Sequence, residues 1–332
     1  MAARRITVVG AGILGLWQAL TLARRGHAVR LVEASADPFT AGASRHAGAM
    51  LAPDCEAEAA PAIVREAGRE GLALWRATYP RLVDAGSLVV AGARDQPDLI
   101  RFARLTERHR TLDAGEIGAL EPDLAGRFAS GLYFADEAHM AAPDALAFLL
   151  EAVRAAGADV RLGAEWQGES DGDLLIDCRG LGARAELPAL RGVRGERLLV
   201  RTSEVALARP VRLLHPRHPL YVVPWGDGRF LIGATVIESE DAGPITVRSA
   251  LELLGAAYAL HPAFGEAQIL ETGAGVRPAF ADNVPRAIVR DGGKRVLVNG
   301  AFRHGFLLAP VLAAAVADFV ATGAEHPLLV RD

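Results

Sequence analysis

The sequence predicts an α/β chain of two parts, a Rossmann-like βαβ domain interleaved with an antiparallel-sheet domain. Three observations carry that expectation. A short β-branched run, RITVV at residues 5 to 9, passes through the glycine-rich turn GAGILG into an apolar periodic stretch. The segment LYVVPWGDGRFLIGAT reads as two strands around a WGDG turn, an antiparallel hairpin. Segments of these two kinds alternate along the 332 residues instead of separating into halves.

Taken in order, apolar residues at 13, 16, 17, 20 and 23 have helical spacing after RITVV. The helix stops at Arg24-Arg25-Gly26, basic residues in the last turn and glycine at the end. HAVRLVEA is the second strand, so one βαβ unit fills residues 5 to 34. A further helical pattern from Asp144 to Ala156 ends at Gly157 and feeds ADVRLGA, and DLLIDCRGLG gives another strand closing on glycine. Both extend the same sheet. GSLVVAG, GLYFADEAHM, GERLLVRT and the WGDG hairpin belong to the antiparallel part. KRVLVNG is a last strand, and AFRHGFLLAPVLAAAVADFVATG is a loop running into an apolar helix. The division this implies is 1–84, 141–194 and 273–332 for the first domain, and 85–140 and 195–272 for the second.

Composition narrows the function classes. Hydrophobic residues make up 51% of the chain, enough for a sizeable core, and 40 acidic against 36 basic residues leave a net charge of -4. That balance implies no general attraction to nucleic acid or anionic lipid, and favours a small-molecule partner. Lys294 is the only lysine, but the arginines are scattered among acids and carry no functional weight as a group. Cys55 and Cys178 lack a CxxC spacing, so neither a disulfide framework nor a metal site is expected. The start resembles a signal peptide, yet its apolar run carries the glycines of the fold, so a cytoplasmic protein is expected. The stretch 305–323 is the best membrane candidate, but Pro310 and Asp318 interrupt it, and a buried helix is the better reading.

In Gly10-Ala11-Gly12-Ile13-Leu14-Gly15 the first glycine permits a tight turn, the second lets backbone approach a pyrophosphate, and the third lets helix pack on strand. The amides at the start of that helix face the phosphates. Glu33 follows Gly15 by 18 residues, at the end of the second strand, where a carboxylate accepts hydrogen bonds from both ribose hydroxyls of an adenosine. That acid argues for FAD or NAD and against NADP. Between the two, the segment AGASRHAGAML argues for flavin: Ala43, Ser44, Gly48 and Ala49 let backbone pass close to a pyrophosphate and an isoalloxazine ring.

These residues resemble the flavoprotein family of D-amino acid, sarcosine and glycine oxidases, most closely the glycine oxidases of thiamine biosynthesis. The resemblance rests on VVGAGILGL, GASRHAGAMLAP, DCRG, VRGE, YVVPWGDGRFLIGAT, GVRPAFADNVP and NGAFRHGFLLAP, in that order and across almost the whole chain. It implies an FAD-binding Rossmann-like domain interleaved with an antiparallel substrate domain. Arg277 of GVRP then holds the substrate carboxylate in two parallel hydrogen bonds. Tyr221 donates a further bond to that carboxylate, and Met50 packs near flavin and substrate; the plainer readings are a half-buried strand aromatic and core filler. Gly180 of DCRG joins the cofactor set. So do Ala301, Phe302, Arg303, His304 and Gly305 in the loop around the pyrimidine edge, with Phe306 and Leu307 opening the helix whose positive end faces it. The carbonyl of Arg303 accepts from the substrate amine. Relatives often carry asparagine in place of His304, so His304 receives no proton-transfer role.

The sarcosine oxidases attach flavin through a cysteine in the C-terminal half, and this chain has none after Cys178, so FAD is expected to be non-covalent. The reaction implied is hydride transfer from Cα of a small amino acid to flavin N5, with dioxygen then giving hydrogen peroxide. The imine passes to a thiazole-forming enzyme or hydrolyses to glyoxylate and ammonia. Glycine, sarcosine and small D-amino acids all remain open as substrates. Alternatives are a dehydrogenase of the same fold with a non-oxygen acceptor, a nicotinamide dehydrogenase, and a nucleotide-binding protein without turnover. Relatives are often tetramers, which implies a homo-oligomer.

Overall fold

The computed structural model describes residues 3–40, 42–168, 172–215 and 219–332. Ala41, the first residue of AGASRHAGAML, lies outside them. Among the described residues the first sheet has seven strands in the order Leu329–Arg331, Arg286–Arg290, Arg295–Asn299, Leu174–Asp177, Arg5–Val9, Ala28–Glu33 and Asp159–Leu162. Neighbours run parallel except Arg286–Arg290 against Arg295–Asn299.

The central strand Arg5–Val9 is buried from Ile6 to Val9, so apolar cover is needed on both of its faces. The helix Ile13–Arg24 packs on it and against the helices Ala142–Ala155 and Gly305–Thr322. Gly15 allows this approach: a Cβ there would stand 1.8 Å from the Gly10 carbonyl oxygen. Gly71, on the helix Ala62–Thr78, plays the same part against Gly305–Thr322, since its Cβ would stand 1.9 Å from the Leu307 carbonyl oxygen. Trp75 locks this corner, meeting Trp17 edge-to-face at 4.9 Å and donating from Nε1 to the Phe306 carbonyl at 2.6 Å. Gly305–Thr322 is long and apolar enough to cross a membrane, yet most of it is buried within the protein, and Gly323 closes it in the left-handed conformation.

The second sheet has eight strands in the order Gln268–Ala279, Arg191–Arg201, Arg229–Gly233, Leu220–Pro224, Val211–Leu214, Ser87–Ala91, Ser130–Phe134 and Arg110–Asp113. It is antiparallel apart from Val211–Leu214 beside Ser87–Ala91. Its outer face packs on the helix Val247–Leu260, where Leu198, Val200 and Ile232 meet Leu253 and Ala257. Alternation then turns Gly195, Arg197, Tyr221 and Gly233 to the inner face, toward the first domain. A pair of two-residue strands, Met50–Leu51 and Ala138–His139, lies apart from both sheets.

The divisions at 194/195 and 272/273 read from sequence cut through Arg191–Arg201 and Gln268–Ala279, which pair along their whole length in the second sheet. An apolar strand pattern does not say which sheet a strand joins, so the crossover is better set at the ends of these strands. We propose domain boundaries at about residues 190 and 280, outside these two strands.

Candidate active site

At the C-terminal end of the central strand, Gly10 has φ of 97°, and a Cβ there would stand 2.8 Å from the Cys178 carbonyl oxygen. Only glycine suits that position. Gly12 precedes the first helical turn, and the Ile13 amide donates to Ser44 Oγ at 3.2 Å. Leu14 follows in the same turn, buried. The Glu33 carboxylate accepts from the Ala11 amide at 2.7 Å and the Ser35 amide at 3.0 Å, which fixes it beside the glycine turn. Gly180, with φ of 58°, accepts from Asn299 Nδ2 at 2.9 Å and joins the ends of two further strands to this edge.

The short helix Ala43–His46 and the residues after it run between the domains. A Cβ on Gly275 would stand 3.6 Å from Ala43 Cα, and one on Gly48 would stand 2.8 Å from Tyr221 Cε2. Ala49 has φ of 49°, and Met50 is half-buried, paired with His139. Ser44, Gly48, Ala49 and Met50 thus pass from the dinucleotide turn to the inner face of the second sheet.

The C-terminal loop is pinned from several sides. The Phe302 amide donates to the Pro278 carbonyl at 2.8 Å, and the His304 amide to that of Ala301 at 2.8 Å. Phe302 takes φ of 45° between them. The first intrahelical bond runs from the Leu308 amide to the His304 carbonyl, leaving the amides of Gly305, Phe306 and Leu307 outside the helical ladder. The side chains of Phe306 and Leu307 face the core, against Trp75 and Gly68, so what they offer a ligand is backbone. Burial lowers the pKa of His304, with Arg303 and Arg212 adding to that and Glu56 opposing it, so the imidazole is neutral.

On the inner face of the second sheet, Arg277 leans over Gly195: a Cβ on that glycine would stand 2.0 Å from Nη2. Its Nη1 donates to the Thr235 carbonyl at 3.2 Å. Among the described residues it has no carboxylate partner; burial lowers its pKa, and the titratable groups facing it are Tyr221 and Arg303. The Tyr221 hydroxyl lies 3.2 Å from where a Cβ of Gly233 would be. Glycine at 195, 233, 273 and 275 thus gives a floor without side chains under Arg277 and Tyr221.

The family model DAO, FAD dependent oxidoreductase, matches residues 5–319. The chain belongs to this family. Of its DAO-family relatives, a protein of Rhizobium etli described as the thiamine biosynthesis oxidoreductase ThiO is 52% identical, covering 97% of this chain and 98% of that one. The bifunctional protein ThiO/ThiG of Trichormus variabilis is 27% identical, over 98% of this chain and 54% of its own length. The crystal structure of glycine oxidase from Geobacillus kaustophilus superposes with a TM-score of 0.80 at 25% identity, covering 98% of this chain and 97% of that one.

As a DAO-family protein the chain is an FAD-dependent oxidoreductase, and its own residues fit the cofactor. The Gly10–Gly15 turn brings backbone tightly into the start of the helix with no side chain at its glycines, a carboxylate stands at the second strand end, and small residues line the inter-domain path. No group of acids, histidines and cysteines suited to a metal occurs among the described residues.

Sequence reading missed Glu56, Arg212 and Arg197. Glu56 accepts from Arg212 Nη2 at 2.7 Å and from Arg303 Nη2 at 3.4 Å, and its Oε2 lies 3.8 Å from His304 Nδ1. Burial alone would raise its pKa, but the guanidinium groups of Arg303 and Arg212 hold it well below the usual carboxylate range. Glu56 therefore ties the C-terminal loop to the second sheet. A partner 156 residues away leaves no local signal. VRGE was legible as a motif, but its Arg194 and Glu196 pair with each other on the outer face, away from Arg277.

Proposed function

We propose that the protein oxidises glycine or another small amino acid to the imine and reduces dioxygen to hydrogen peroxide. Free imine hydrolyses, giving glyoxylate and ammonia from glycine, while in thiamine synthesis it passes to a thiazole-forming enzyme. The observation that carries this reading is Arg277, a half-buried guanidinium with no carboxylate partner among the described residues, set beside Tyr221 over bare glycine. A buried cation of this kind is stabilised by an anion with matching geometry, and a substrate carboxylate supplies it. The relative that joins ThiO and ThiG in one protein supports a partner that takes the product.

When bound, FAD supplies the acceptor for the two electrons of the Cα–H bond. In this reading Arg277 and Tyr221 hold the carboxylate, the backbone carbonyl of Arg303 holds the amine, and Met50 packs against both. Orientation is the main contribution of these residues. His304, turned toward Glu56, takes no proton; no side-chain base is needed if the amine arrives neutral. Cys55 and Cys178 are buried, which fits non-covalent FAD, to be checked as flavin released on denaturation. A cytoplasmic homo-oligomer goes with the reading.

The test is Arg277→Ala. It should raise KM for glycine by orders of magnitude while FAD stays bound; unchanged kinetics would overturn the assignment. Peroxide measured with and without an artificial electron acceptor separates an oxidase from a dehydrogenase.

A further inference from the structure

A second arginine faces the same floor. Arg197 is only 2% exposed and sits in one row of the second sheet with Gly273 on one side and Gly233, then Tyr221, on the other. Its Nη2 donates to Glu271 Oε1 at 2.8 Å and lies 3.3 Å from His46 Nδ1. Its Nε and Nη1 are buried without a hydrogen-bond partner among the described residues. Unmet donors on a buried cation are costly, and in a native protein a water, an ion or a ligand answers them.

The local charge points the same way. Glu271 Oε1 also accepts from Arg45 Nη2 at 2.9 Å, so two guanidinium groups share one carboxylate and one positive charge stays uncompensated. His46 adds none, because burial, Arg197 and Arg45 hold its pKa down at about 4. The other charged or titratable groups facing the cluster are Tyr221 and Arg277. Arg45 and Glu271 are partly exposed, which sets the cluster at the rim of the inner face.

Spacing relates the two arginines. The Arg277 guanidinium lies over Gly195, and Arg197 Nε would stand 2.9 Å from a Cβ on Gly273. Gly195 pairs with Gly275, so Gly195 and Gly273 are diagonal neighbours across the ladder, about 7–8 Å apart. A substrate with one carboxylate engages Arg277 alone. One with a second anion a few bonds away reaches both.

We propose that Arg197 is a second anion subsite of the substrate cavity, and that the protein takes small amino acids carrying a second carboxylate, such as an N-carboxymethyl group. The proposal rests on the reading of Arg277 as the first carboxylate site. Iminodiacetate is the probe and N-ethylglycine its singly charged comparator, both titrated into the FAD-loaded protein without oxygen and followed by calorimetry and the flavin spectrum. The wild type should bind iminodiacetate at least ten-fold more tightly than N-ethylglycine. Arg197→Met should bring that ratio to about one, and Arg197→Lys should restore part of it.

Equal affinities in the wild type, or a ratio unmoved by Arg197→Met, would overturn the proposal. So would loss of flavin from Arg197→Met with the ratio intact, which would give the guanidinium to the cofactor's phosphates. Failure of glycine to reduce the flavin would instead count against the proposed reaction, and the binding ratio would still decide the role of Arg197.

Discussion

Replacing Gly195 by alanine isolates the placement of Arg277 from its presence. The new methyl would stand 2.0 Å from Nη2 and 2.2 Å from Cζ of the guanidinium. An ordinary contact is ~3.5 Å, so the guanidinium has to move by about 1.5 Å. Displacement on the order of 1 Å in a positioning group costs roughly 100-fold in rate, equivalent to ~2.7 kcal/mol of transition-state stabilisation. The three atoms nearest the new methyl all belong to Arg277, so FAD should be retained. Stopped-flow flavin reduction over a range of glycine concentrations gives kcat/KM, and the flavin-to-protein absorbance ratio gives occupancy. A drop of about 100-fold with full occupancy is expected. Wild-type kinetics in Gly195→Ala would mean that Arg277 does not hold the substrate from where it stands.

Three other outcomes follow from the same geometry. Gly15→Ala forces a methyl to within 1.8 Å of the Gly10 carbonyl, and the purified protein should lose FAD before it loses fold, seen as a colourless but helical sample. Glu56→Gln leaves Arg212 buried without its carboxylate and should cost about 3 kcal/mol in urea denaturation. Glu137 is buried between the Ser87 hydroxyl and the Cys55 amide, and burial raises its pKa from 4.5 to about 7. The folded state then holds a proton that the unfolded chain releases at lower pH, so this stabilisation is complete below pH 4.5 and lost as pH rises through about 7. Relative to Glu137→Gln, the wild type should lose about 3 kcal/mol between pH 4.5 and 8, measured by denaturation across that range.

What could be read from sequence was what the backbone itself dictates. Gly10 and Gly15 sit where a side chain would strike backbone, so their place in the turn can be read as a pattern. The hairpin Leu220–Pro224 and Arg229–Gly233 announced itself through its turn glycines, both at positive φ. The environment of Arg277 was harder: GVRP marks the arginine, but Gly195, the residue that makes room for it, lies 82 positions earlier in another strand, as the register of Gly275 opposite Gly195 shows. Glu56 and Arg197 were not legible at all. Their partners come from elements distant in the chain, and a charged residue among other charged residues reads the same whether it meets water, an ion pair or a ligand. Which sheet Arg191–Arg201 joins was not legible for a related reason, because its periodicity carries no information about its neighbours.

The central claim, an FAD-dependent oxidation of a small amino acid bound through Arg277, is tested most directly by the visible absorption spectrum of the purified protein without oxygen, before and after adding glycine. A yellow protein whose flavin bands bleach is the expected result. A yellow protein that no small amino acid bleaches would contradict the proposed reaction, and a colourless protein that cannot be reconstituted with FAD would contradict the cofactor site itself.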